Sequence, residues 1–208
     1  MRAVIFDLDG VIVSTDNLHY QAWKKMADKE QIYFDEVINN RLRGVSRMAS
    51  LEMILERATK KYTNEEKIAL TEFKNEIYKK LLMTLSEKDI LPGVMDILEE
   101  LKARGIKVGI GSSSRNAKTI LKRVGLLHYF DCISDGNNIT KSKPDPEVFE
   151  KAAEMLGLPN EECAVVEDAH AGIIAAKSAG MIAFAVGDAL ESTEKDYDFT
   201  QILEIIKQ

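Results

Sequence analysis

Apolar positions follow two rhythms along this chain of 208 residues. Five short, apolar, β-prone runs predict strands over 3–6, 106–111, 131–134, 164–166 and 182–186. Stretches with amphipathic-helix spacing precede or separate the last four. Residues 95–104 carry Ile97, Leu98 and Leu101, and 116–124 carry Ile120, Leu121 and Val124. Residues 146–156 carry Val148, Phe149, Ala152 and Leu156, and 171–179 are rich in Ala and Ile. Gly105, Gly125, Gly157 and Gly180 follow these helices, where a left-handed cap is needed. Strand, helix and glycine in rotation predict an α/β fold with a parallel sheet and right-handed crossovers.

The stretch between the first two strands breaks that rhythm. It predicts helices only, over 18–29, 47–61 and 65–82. The second places Leu51, Ile54, Leu55 and Ala58 at helical spacing, and the third places Leu70, Phe73, Ile77 and Leu81 on one face. The expectation is a helical domain of residues 15–86 inserted into a sheet domain of 1–14 and 87–208. Two chain crossings, near Ser14-Thr15 and near 86–89, make a natural hinge, and the insert suits a lid. Residues 201–207 read as a short closing helix.

Polar clusters stand at the C-terminal ends of the predicted strands, the end at which open parallel sheets bind ligands. The first is Asp7-Leu8-Asp9-Gly10. Strand alternation sends Asp7 and Asp9 to the same side, and Gly10 allows a sharp turn after them. Such a pair can bind a hard cation, or divide the roles of nucleophile and proton donor. The second, Gly111-Ser112-Ser113-Ser114-Arg115-Asn116, opens a helix and offers hydroxyls and free N–H groups to a phosphate. The third is Lys143-Pro144, where the lysine is a point charge for a phosphoryl oxygen. The fourth, Glu167-Asp168, suits Mg²⁺. Singly, each has a plainer reading as turn, helix cap or solvated surface. Together, in this order, they fit phosphoryl transfer by a carboxylate nucleophile with Mg²⁺ and cationic clamps.

Composition narrows the partners. The 28 Lys+Arg against 34 Asp+Glu leave a net charge of -6, without the basic face that nucleic acid needs. Cys132 and Cys163 are in no metal-type spacing and read as reduced core thiols. The first apolar run is only four residues long and ends in acid, which fits no signal peptide, and no stretch approaches membrane-spanning length. A soluble, cytoplasmic, monomeric protein acting on a small molecule is the expectation.

The ordered set resembles the haloacid dehalogenase superfamily, in its phosphotransferase branch, and the resemblance covers the whole chain. It implies a Rossmann-like core with a helical cap inserted between the first two core strands. The segments 19–24 (His-Tyr-Gln-Ala-Trp-Lys), 43–50 (Arg-Gly-Val-Ser-Arg-Met-Ala-Ser) and Lys74-Asn75 are similar to the cap of the β-phosphoglucomutase group. Ser112-x-Ser114-Arg115-Asn116 and Ser142-Lys143-Pro144 match its core. Two positions depart from that pattern: Ser14 stands where the group has Asp, and Arg43 where it has Lys.

The resemblance implies interconversion of β-glucose 1-phosphate and glucose 6-phosphate through bound β-glucose 1,6-bisphosphate. It assigns Asp7 as nucleophile, Asp9 as general acid and base, and Ser112 and Lys143 as clamps on the transferring phosphoryl group. One Mg²⁺ is to be held by Asp7, the Asp9 carbonyl, Glu167 and Asp168. Substrate binding falls to Asp9, His19, Trp23, Gly44, Val45, Arg47, Ser50, Lys74, Ser114, Arg115 and Asn116. On the residues alone, plainer readings stand beside these. His19 and Trp23 share a helix face and can simply pack, Arg47 can begin a solvated helix, Ser46 can cap it, and Lys74 can snorkel. A sugar-phosphate or small-metabolite phosphatase on the same fold is the alternative, and a catalytically idle binding protein a third reading.

Overall fold

A computed structural model describes residues 1–43 and 45–205. Every residue of β1 (Ala3–Phe6) is buried. Val4 and Phe6 face one core together with Val108, Ile110 and Val166, while Ala3 and Ile5 face another with Phe149, Ala152 and Ile173. A strand covered on both faces has no polar side, so it reads as a continuous apolar run.

Around β1 stand β2 (Lys107–Gly111), β3 (Cys132–Ser134), β4 (Cys163–Glu167), β5 (Ile182–Ala185) and β6 (Tyr197–Asp198), in the order β3-β2-β1-β4-β5-β6 with every pairing parallel. The chain moves outward from β1 through β2 to β3, then returns to β4 on the other side. That reversal opens a crevice between the ends of β1 and β4. The predicted strands match within a residue at each end; β4 extends the predicted 164–166 by one residue both ways, to Cys163 and Glu167. Residues 196–199 carry no apolar run long enough to announce β6.

Helices α1 (Asp16–Lys29), α2 (Glu36–Asn40), α3 (Arg47–Leu55) and α4 (Asn64–Leu82) lie between β1 and β2 and enclose a cluster of their own, with Trp23, Met26, Ile38, Leu51, Ile54 and Leu70. The remaining helices are α5 (Val94–Ala103), α6 (Ala117–Arg123), α7 (Glu147–Leu156), α8 (His170–Ser178) and α9 (Ile202–Ile205). Positive φ at Gly105, Gly125, Gly157 and Gly180 bears out the four helix stops. Residues 206 and 207 of the expected closing helix lie outside the described residues. Among the described residues no helix is long and apolar enough to cross a membrane.

Three expectations need correction. α3 ends at Leu55 rather than at 61, because 56–61 is mostly polar and Thr63 opens the next helix with a capping box to Glu66. The buried stripe of α4 is Leu70, Lys74, Tyr78 and Leu82; Phe73 is exposed and Ile77 and Leu81 are only half-buried. One residue of offset turns a helix by about 100°, so the polar side chains Lys74 and Tyr78 hold the inward face that the apolar pattern assigned elsewhere. α2 was not expected; Asp35 caps it by accepting from the Ile38 N–H at 2.9 Å.

Candidate active site

The end of β1 is fixed by its neighbour, since the Asp7 N–H donates to the Val166 carbonyl at 2.9 Å. This sets Asp7 beside Glu167 and Asp168, which leave the end of β4. One carboxylate oxygen from each of the three lies within 4.8 Å of the others. Two glycines make the crowding possible. A Cβ on Gly10 (φ +82°) would come within 2.0 Å of Asp168 Oδ2, and one on Gly172 within 2.0 Å of Glu167 Cδ.

Lys143 is the cation in this cluster. It follows β3, is buried, and donates to Asp7 and, at 2.7 Å, to Glu167 Oε2. Burial works against its charge, but the two carboxylates outweigh that and raise its pKa. Burial, then the Asp7 charge, pushes Glu167 up to about 7 and Asp168 up to about 9. Asp168 is paired with no cation among the described residues. Three close carboxyl groups share one ammonium, and two of them are held toward their protonated forms by burial and for want of further positive charge; these hard oxygen donors fit a divalent ion such as Mg²⁺.

Ser112, Ser113 and Ser114 follow β2. Ser112 Oγ accepts from the Ser114 N–H at 3.1 Å, and Ser114 Oγ accepts from the Asn116 N–H at 3.2 Å. The loop thus organises itself and leads into α6 beside Lys143.

Asp9 faces the helices. Its Oδ1 accepts from the Thr15 hydroxyl, and Thr15 Oγ1 lies 2.9 Å from the Tyr78 hydroxyl on α4. Burial pushes Asp9 up to about 7; the Thr15 bond and Lys74 oppose the rise, and Asp7 and Asp16 add to it. Lys74 Nζ is 2.9 Å from His19 Nδ1 and sits 4.4 Å from the Tyr78 ring centre and 4.8 Å from that of Trp23. Burial, then Arg47, lowers Lys74 to about 7, and burial with Lys74 and Arg47 holds His19 well below its usual value.

These groups line one cleft of about 850 Å³ between the sheet end and the helices. Its walls include Asp7, Asp9, Ser112, Ser114, Asn116, Lys143, Glu167 and Asp168 from the sheet side, and His19, Trp23, Val45, Arg47, Ser50 and Lys74 from the helices. Burial, then Arg115, lowers the Arg47 guanidinium, so both cations face the same space. Asn116 Nδ2 donates across the seam to Asn75 Oδ1 at 3.1 Å. Ser46 lines the cleft and also caps α3 through the Ala49 N–H. Lys74 is only 2% exposed, which excludes the snorkelling alternative. Gly44 lies outside the described residues. Sequence reasoning gave Thr15 no role beyond the hinge and did not single out Tyr78; the signal for Tyr78 is its place four residues after Lys74, on the same helical face.

Residues 1–180 match the profile of the haloacid dehalogenase-like hydrolases. The chain is 49% identical over 189 residues to the β-phosphoglucomutase of Bacillus subtilis, covering 90% of this chain and 84% of that one. It is 34% identical over 185 residues to a phosphorylated carbohydrates phosphatase of Thermotoga maritima, covering 87% and 82%. The crystal structure of a β-phosphoglucomutase from Clostridium difficile superposes with a TM-score of 0.91 at 38% identity, covering all of both chains. The chain belongs to the haloacid dehalogenase-like hydrolase family, and within that family to the β-phosphoglucomutases.

Proposed function

We propose that the chain interconverts β-glucose 1-phosphate and glucose 6-phosphate, with residues 15–86 moving as a cap over a core of 1–14 and 87–208. The observation that supports this best is Asp9. It stands two residues from Asp7 at the cleft; its carboxylate accepts from Thr15, the residue before α1, Thr15 is bonded in turn to Tyr78 on α4, and the Lys74 charge acts on it. A proton donor wired to the cap is ready only when the cap is down, which favours transfer to a bound sugar over transfer to water.

Asp7 attacks the phosphorus of the bisphosphate; the P–O bond to the sugar breaks and Asp9 gives its proton to the leaving sugar oxygen. The phosphoryl group now rests on Asp7. For return transfer the other sugar hydroxyl attacks, Asp9 takes its proton, and Asp7 is freed. An Asp9 carboxyl near 7 serves both directions. Ser112 and Lys143 hold the phosphoryl oxygens, and Lys143 holds Asp7 in line. Arg47, Ser114, Arg115 and Asn116 grip the distal phosphate, as paired cations facing one cavity suit. His19, Trp23, Gly44, Val45, Ser50 and Lys74 enclose the sugar. Asp7, the Asp9 carbonyl, Glu167 and Asp168 would hold one Mg²⁺, which when bound offsets negative charge on the phosphoryl oxygens. β-Glucose 1,6-bisphosphate is the intermediate and activator, and the enzyme acts as a cytoplasmic monomer.

The test is product analysis by ³¹P NMR after incubation with β-glucose 1-phosphate and Mg²⁺. Glucose 6-phosphate is expected. Inorganic phosphate as the main phosphorus-containing product would favour a phosphatase and refute the mutase reading.

A further inference from the structure

Arg43 spans the seam between helices and sheet. Its guanidinium is 2.6 Å from Asp16 Oδ2 at the start of α1 and also donates to Asp188 on the sheet side. Asp188 stands on a short 3₁₀ turn, Gly187–Glu191, after β5. That turn is tied to the metal-site acid, because the Ala189 N–H donates to the Asp168 carbonyl at 2.8 Å. Arg43 itself lies four residues ahead of Arg47, the first residue of α3. One side chain therefore joins the segment just ahead of Arg47 to the turn that braces Asp168.

We propose that Arg43 is a positioning residue that latches the cap over the core, with Asp16 as its holder and Asp188 as its catch. This rests on the reading of residues 15–86 as a cap that closes for transfer. Movement about the two chain crossings leaves Arg43 and Asp16 together, since both are on the cap side. The Arg43–Asp188 bond is the one that must break. Holding one arm of the guanidinium against Asp16 keeps the fork oriented in the open state, so recapture costs little side-chain entropy. A lysine at this position would offer a single point of charge and could not fork to two carboxylates in the same way. The Asp188 side chain is 74% exposed, so the catch is weak, releasable and sensitive to salt. A weak catch suits a lid that must open each time the product leaves.

The test pairs Asp188→Asn with Asp188→Glu. Nitroxide labels on Lys61→Cys in the cap and Lys118→Cys in the core, both exposed positions, report cap–core distance by pulsed electron resonance. The native thiols do not compete, because Cys132 and Cys163 are buried and burial pushes them up to about 12 and 11. Loss of the catch lowers the closed population about threefold in Asp188→Asn, and about 0.5 M NaCl does the same to the parent. Asp188→Glu restores the short distances. The same Asp188→Asn variant raises the ratio of phosphate release to glucose 6-phosphate formation and raises KM more than it lowers kcat. Superimposable distance distributions for parent and Asp188→Asn would overturn the latch, as would a shift that Asp188→Glu fails to reverse. Phosphate release in place of glucose 6-phosphate by the parent would remove the mutase reading, while the distance shift would still support the latch.

Discussion

Lys74 Nζ lies 2.9 Å from His19 Nδ1, joining α4 to α1 at the wall of the cleft. Lys74 is sealed from solvent and His19 is half-buried. His19 is held neutral by burial and by its cationic neighbours, and a protonated Lys74 donates to its Nδ1. Lys74, lowered to about 7, is partly charged at neutral pH, and its charge draws Asp9 toward its ionised form.

Lys74→Met keeps the stem and removes the charge. Asp9, already near 7, then loses an attraction that lowers it, and its pKa rises. Where Asp9 acts as base it must be ionised, so the ascending limb of the pH–rate profile moves to higher pH. The mutase rate at pH 7 should fall by about ten- to a hundredfold. An unshifted profile would show that Lys74 does not act on Asp9.

Asp7→Asn removes the nucleophile while keeping a side chain of the same size beside Lys143. Turnover should fall by at least about a thousandfold with any phosphorylated sugar. Retained activity would place the phosphoryl carrier elsewhere.

Arg47→Ala should cost the mutase about ten- to a hundredfold in kcat/KM, the worth of a charge-assisted bond to a phosphate. Hydrolysis of a substrate with one phosphate should change much less. Equal losses in the two assays would contradict a distal-phosphate role.

Mg²⁺ should stabilise the fold more at higher pH. Glu167 and Asp168 are raised to about 7 and 9, so at pH 6 a cation must displace protons from both, at pH 8 mainly from Asp168, and only above about pH 9 few from either. Without metal the sign is opposite. The unfolded carboxyls have released their protons above about pH 4, so stability falls as pH rises through the folded values. The Mg²⁺-induced rise in Tm should therefore grow from pH 6 to pH 8.5. Gly172→Ala, whose Cβ would strike Glu167, should diminish that rise throughout. A rise independent of pH would argue against binding by these acids.

The sheet was legible because its strands are buried on both faces and its helices stop at glycines in the left-handed region, as at Gly105 and Gly157. The acids and Lys143 were legible because open parallel sheets gather ligands at strand ends. The cap was harder to read. Its inner face carries Lys74 and Tyr78, so the apolar pattern of α4 pointed to Phe73, which is exposed. The Arg43–Asp188 contact joins positions 145 apart, and no local spacing announces it.

The central claim is that the phosphoryl group on Asp7 is passed to a sugar held under the cap. The most direct measurement is the time course of glucose 6-phosphate from β-glucose 1-phosphate and Mg²⁺, with and without a trace of β-glucose 1,6-bisphosphate. A lag that the trace abolishes, with little inorganic phosphate released, is the predicted result. Steady release of inorganic phosphate, unaffected by the trace, would contradict it.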